Sequence, residues 1–118
     1  VEITTLDELL AKSCAATYAA HALSANERAA LLHLLPAWKF AKNDQWIQRD
    51  LTLKSFAEAL AFTNAIGDLA EREHHHPNLH LTNYKQLMIE LQTHDVADLS
   101  LNDFILAAKI EQLVTVSP

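Results

Sequence analysis

The chain has few of the residues that usually break, hinge or cross-link a fold: one glycine (Gly67), one cysteine (Cys14) and three prolines in 118 residues. A single cysteine excludes an internal disulfide framework and a multi-cysteine zinc site, and it fits a reducing compartment. Cys14 reads as a small buried apolar residue rather than a reactive thiol. One glycine leaves no room for a Gly-rich phosphate loop or a flexible linker. Lys and Arg number 9 against 15 Asp and Glu, for a formal net charge of −6. They form no basic stripe, so direct nucleic-acid binding is not expected. No apolar run approaches the roughly 18 residues of a membrane span, and the mixed, acidic start Val1 to Asp7 carries no signal-peptide pattern. A cytoplasmic protein is expected.

What is present is the composition of one ordinary globular domain, half hydrophobic and one-fifth charged. "TLDE" (5–8), "SANE" (24–27) and "SFAE" (55–58) share the Ser/Thr-x-x-Glu form that opens helices. The first predicts a helix running on through "LLAKSCAATYAAHAL". The second predicts one ending at Pro36, and the third a long helix with Phe56, Ala59, Leu60, Thr63, Ile66, Leu69 and Ala70 at helical spacing. Gly67 inside that helix suggests close packing. Trp38 and Phe40 alternate with polar residues, "KND" is turn chemistry, and Trp46 to Leu53 is extended, which together predict a hairpin. A second hairpin is expected from residues 79–84 and "YKQLMIELQTH". Its Leu87, Ile89, Leu91 and Thr93 fall on one face, with Met88, Glu90, Gln92 and His94 on the other. "SLND" then caps a last helix through "FILAAKIEQLV".

The order implies an α+β domain over residues 23–118, in the sequence α-β-β-α-β-β-α: a four-stranded antiparallel sheet with helices packed on one face. Residues 1–22 would be an N-terminal helical extension. Two open sheet edges make an oligomer plausible.

The most conspicuous stretch is "EREHHHPNLH" (71–80). Pro77 requires the long helix to end near His75 or His76. Adjacent helical residues point about 100° apart, so His74, His75 and His76 do not converge easily on a metal, and no H-E-x-x-H motif is present. Two readings stay open. A helix C-terminus favours imidazolium through its dipole, so the histidines can simply be a solvated polar end. Alternatively, Glu71, four residues before His75, orients an imidazole, and His94 joins it from a strand end in a proton-transfer site.

Glu71, His75, His76 and Pro77, then Tyr84, Thr93, His94, Leu99, Ser100 and Asp103 together resemble the signature of the pterin-4a-carbinolamine dehydratases. "LLHLLPAW" and "FAEALAFTNAIGDLAE" are similar to that family's first and long helices in bacterial members. The resemblance covers residues 23 to 114. It implies dehydration of 4a-hydroxytetrahydrobiopterin to quinonoid dihydrobiopterin, in support of aromatic amino-acid hydroxylases, with no metal or organic cofactor. It also implies a homodimer or homotetramer. The catalytic histidines by position are His75, His76 and His94: His75 and His94 to exchange protons, His76 to position the pterin, with Glu71 polarising the site. Pro77 and Trp38 are further candidates for the substrate pocket, although Trp38 suits core packing better. Asp103 reads as the acid of a helix N-terminus, and Tyr84 as packing. His74 and Asp98 stand where glycine is common in the family, and residues 1–22 are less typical. Relatives in animals also act as dimerization cofactors for a homeodomain transcription factor, and others in enzyme assembly, so a non-catalytic binding module is the alternative.

Overall fold

Each Ser or Thr placed before a predicted helical run becomes a helix N-cap in the computed structural model, which describes residues 3–116. Thr5, Ser24 and Ser55 accept the backbone N–H groups of Glu8, Glu27 and Glu58. They open α1 (Leu6–Leu10), α3 (Ala25–His33) and α4 (Phe56–Glu73). The reciprocal half of the capping box forms at Ser24, whose N–H reaches Glu27 Oε1 at 2.9 Å. Glu8 turns instead to the Thr4 N–H and the Thr4 and Thr5 hydroxyls.

The continuous N-terminal helix expected after Thr5 is broken. After α1 the chain runs extended through Ala15 (φ −144°, ψ 150°) before a single further turn, α2 (Ala16–Ala19). The cause is tertiary. Glu73 takes the Cys14 N–H at 2.9 Å, and Asn102 Oδ1 takes the Ala15 N–H at 3.0 Å. Helix propensity is a weak preference that such partners override.

Both hairpins form, as β1 (Lys39–Ala41) with β2 (Trp46–Thr52), and β3 (Asn78–Thr82) with β4 (Gln86–Leu91). They join into one antiparallel sheet of order β1-β2-β4-β3, with Ile47 opposite Leu91 and Leu79 opposite Ile89. Alternation sends Ile47, Leu87, Ile89 and Leu91 into the core. Arg49 points the same way and meets Glu111 of α5 (Leu101–Val116) at 2.6 Å. On the other face Glu90 is buried all the same, between Lys42 (2.9 Å) and His80 (2.8 Å). Burial opposes its ionisation, but hydrogen bonds from Lys42 and His80 outweigh this and hold its carboxyl below the usual range.

Helix α5 is buried on every side at its centre: Phe104 to Ala108 are all at most 1% exposed. A helix apolar all round needs cover on two sides. Helices α4, α1 and α2 all pack on it, and the apolar face of the sheet shares its core cluster. Leu9 and Ile3 join the same core cluster as Leu87 and Phe104. Truncating a fully buried leucine costs about 2–5 kcal/mol. One hydrogen bond contributes about 1 kcal/mol net. Leu9 therefore anchors the N-terminal segment more firmly than any single polar contact.

Gly67 does not mark a close approach. A Cβ there would meet no atom within 4 Å, and its φ is not positive. Gly67→Ala is expected to stabilise the fold by about 0.5–1 kcal/mol. The check is a higher urea midpoint at unchanged m-value.

Candidate active site

Helix α4 ends one residue before the conspicuous triplet. His74 is its cap, in the left-handed conformation (φ 55°, ψ 36°). The His74 N–H reaches back to Glu71 O at 3.4 Å and the His75 N–H to Ala70 O at 3.2 Å, the paired bonds of a Schellman ending. This reversal separates the side chains that helical spacing would have stacked. Glu71 does not meet His75, as the i, i+4 spacing predicts. It meets His76, and both are well exposed.

His75 turns inward to α5. Its Nε2 lies 2.7 Å from Asp103 Oδ1, with Asp103 fully buried and the His75 side chain only 11% exposed. The other carboxylate oxygen accepts the Ser100 N–H (3.0 Å) and the Thr93 hydroxyl (2.7 Å). Because Thr93 spends its proton on Asp103, the 2.6 Å contact between the Thr93 and Ser100 hydroxyls has Ser100 as donor. The ionised carboxylate is acceptor-only, so His75 donates from Nε2. In its neutral form the lone pair is then on Nδ1.

His94 opens a short 3-10 turn (His94–Val96) rather than ending β4, and it is exposed. Among the described residues its ring has no hydrogen-bond partner. Its loop is closed by backbone pairing of Thr93 with Asp98. It is clamped by Arg28, whose guanidinium holds both Asp98 oxygens at 2.8 and 3.2 Å. Arg28 keeps the Asp98 carboxyl below its usual range. Asp98 therefore ties the His94 loop to α3.

His75, His76 and His94 line one cavity of about 520 Å³, a size typical of small-molecule sites. Gln92, Thr93 and Asp95 also line it, with Cys14, Ala15, Ala16 and Ala19 from the N-terminal segment. Burial, reinforced by the Glu73 carboxylate, pushes the Cys14 thiol up to about 12, so it is a neutral wall group. For Glu73 burial opposes ionisation, but bonds from Lys109 and the Cys14 N–H prevail and keep the carboxyl below its usual range. No three His, Cys, Asp or Glu side chains among the described residues converge as a metal ion would require.

Three expected site residues stand apart from the cavity lining. Trp38 is 3% exposed and gives its indole N–H to Glu111 at 2.8 Å, so it belongs to the core. Glu71 reaches the cavity only through His76, and Pro77 leads from His76 into β3. Tyr84 does not pack: it is 60% exposed in the β3–β4 turn with φ 52°. Asp103 is the helix N-terminal acid that the sequence indicated, accepting the Ser100 N–H, but its contact with His75 was not foreseen. "SLND" announces a helix cap, and nothing local signals that the same carboxylate also meets a histidine 28 residues away.

The profile of the family described as pterin 4 alpha carbinolamine dehydratase matches residues 21–113. The chain belongs to this family. It is 37% identical over 113 residues to an Arabidopsis thaliana protein named pterin-4-alpha-carbinolamine dehydratase 2, mitochondrial, covering 92% of this chain and 60% of that one. It is 41% identical over 93 residues to a Xanthomonas campestris protein carrying a pterin-4-alpha-carbinolamine dehydratase name, covering 79% of this chain and 78% of that one. A crystal structure of a transcriptional coactivator/pterin dehydratase from Brucella melitensis superposes with a TM-score of 0.74 at 25% identity, over 79% of this chain and 98% of that one. A pterin dehydratase-like protein identified as a RuBisCO assembly factor shares the fold, with a TM-score of 0.57 at 21% identity, over 69% of this chain and 93% of that one.

Within this family fold, His74 occupies a position that glycine fills without a Cβ penalty. His74→Gly is expected to stabilise the protein by about 1 kcal/mol. Thermal unfolding should show the higher midpoint.

Proposed function

We propose that the protein dehydrates 4a-hydroxytetrahydrobiopterin to quinonoid dihydrobiopterin and water by histidine acid–base catalysis. The observation that carries this reading is the cavity in which His75, fixed by buried Asp103, lies with His76 and His94. Family membership and the names of the relatives support it.

In the reaction the C4a–oxygen bond breaks, its electron pair leaves with the hydroxyl, and a proton must reach that oxygen as water departs. A second proton leaves a ring nitrogen, whose electrons form the new double bond to C4a. One proton is taken up and one is released, so the exchange needs two proton carriers active near neutral pH. Imidazole is the side chain suited to both roles. His75 holds its Nε2–H on Asp103, which leaves Nδ1 to meet the pterin. His94 serves as the second carrier, and His76, braced by Glu71, positions the ring. No metal or organic cofactor enters this scheme.

The same reading makes the protein cytoplasmic and a homodimer or homotetramer, acting on pterin oxidised by an aromatic amino-acid hydroxylase. The free edges of β1 and β3 support self-association. No helix among the described residues is long and apolar enough to cross a membrane.

Replacing His75 or His94 with Gln is expected to lower kcat for freshly generated 4a-hydroxytetrahydropterin by about 100-fold or more. Near wild-type rates in both variants would sink the mechanism. A wild-type protein that fails to outpace spontaneous dehydration would leave the binding-module reading in its place.

Asp103 is a positioning residue and has a separate signature. In Asp103→Asn the amide oxygen must face the Ser100 N–H and Thr93, which turns the NH₂ toward His75. The imidazole is then driven to the Nδ1–H tautomer. We expect kcat to fall at least about tenfold and the ¹⁵N NMR pattern of His75 to change tautomer. An unchanged tautomer, or a changed tautomer with wild-type kcat, would show that Asp103 does not act through His75.

A further inference from the structure

Residues 13–19 lie outside the long helices and the sheet, and outside the span matched by the family profile. Yet Cys14, Ala15, Ala16 and Ala19 share the lining of the histidine cavity, and α2 packs on the turn that carries His94. We propose that this segment is a specificity wall of the pterin pocket, latched in place by Asn102 and Glu73. The proposal rests on the dehydratase reading and extends it to residues that reading does not use.

The latch is specific. The Asn102 side chain is buried and grips both polar groups of one residue: Oδ1 accepts the Ala15 N–H at 3.0 Å and Nδ2 donates to Ala15 O at 2.9 Å. Glu73 accepts the Cys14 N–H at 2.9 Å and is itself held by Lys109 at 2.7 Å. An extended peptide held at consecutive residues by two side chains has little freedom to swing away. The two anchors sit beside the proton-transfer pair: Asn102 precedes Asp103 on α5, and Glu73 lies two residues before His75. The segment thus spans from the end of α4 to the start of α5, across the two elements whose meeting makes the His75–Asp103 contact.

What the segment presents to the cavity suits a flat ring. Its lining residues are three alanines and a cysteine, with no charge and no long side chain. Such a wall lets a planar heterocycle lie close while its polar edges meet the histidines. It also limits width, because a larger side chain in the wall takes space from the substrate. Ala16 is exposed as well as cavity-lining, so enlarging it does not disturb the core.

The test uses the full chain, with 7,8-dihydropterin as a stable binding probe and 4a-hydroxytetrahydropterin as substrate. Ala16→Leu is expected to weaken dihydropterin binding and raise KM at least about tenfold, the lower end of what one methylene is worth in a pocket, while kcat changes much less. Asn102→Ala should release the segment, seen as faster hydrogen exchange at the Ala15 amide, and should raise KM in the same direction. Ala16→Leu keeps the test decisive if Asn102→Ala does not fold. If wild-type protein binds dihydropterin and Ala16→Leu binds it equally with unchanged KM, the wall is overturned and the dehydratase reading stands. If wild-type protein neither binds dihydropterin nor accelerates dehydration, both fall together.

Discussion

The structure turns on a carboxylate removed from water. Asp103 is fully buried, and an ionised group in that position is tolerated only if its oxygens are occupied. It meets that demand with partners from three parts of the chain. Ser100 lies at the start of α5, Thr93 just after β4, and His75 just after α4. Satisfying one charge therefore fixes the mutual position of the two main helices and the central strand where they come together. The site is a by-product of this solution, because the partner that completes the shell is a histidine with one ring nitrogen left over.

Scarcity of glycine shapes the loops around that centre. Among the described residues seven take positive φ, none of them glycine: Lys42, Asn43, Asp44, His74, Asn83, Tyr84 and Ala97. Each L residue there carries a conformational cost, and at three of them local contacts offset it. Lys42 reaches Glu90 and lies 4.5 Å above the Trp46 ring. Ala97 is followed by Asp98, clamped by Arg28. His74 makes the hydrogen bonds of the helix ending. The first and last of the three histidines thus do unlike things: His74 turns the chain, and the turn is what sends His75 inward and His76 outward.

Much of this was legible in the sequence because it is local. The Ser/Thr caps, the alternation of Leu87, Ile89 and Leu91, and the "KND" turn all depend on neighbours a few residues apart, and all form. The failures are nonlocal. The chain leaves the helix before Ala15 because Glu73 and Asn102, far along the chain, claim the Cys14 and Ala15 amides. Glu71 pairs with His76 because a left-handed residue intervenes. Trp38 lies in the core, the reading its sequence context favoured, but its bond to Glu111, which also holds Arg49, is equally nonlocal. The resemblance to a family supplied what periodicity could not, namely that His75 and His94 share one cavity.

Their surroundings could hardly differ more. His75 is nearly enclosed, its tautomer set by Asp103 and its ring unable to turn without breaking that contact. His94 is exposed on a clamped loop, its ring without a partner among the described residues. Two chemically identical groups placed in unlike environments are separated in role. The enclosed imidazole offers one nitrogen in one orientation, which suits a proton moved at a defined atom of the substrate. The exposed imidazole can exchange with water, which suits the group that must be reset after each turnover. In the proposed dehydration one proton enters as another leaves. On that proposal, this asymmetry would let the two histidines divide the work without either having to change its position.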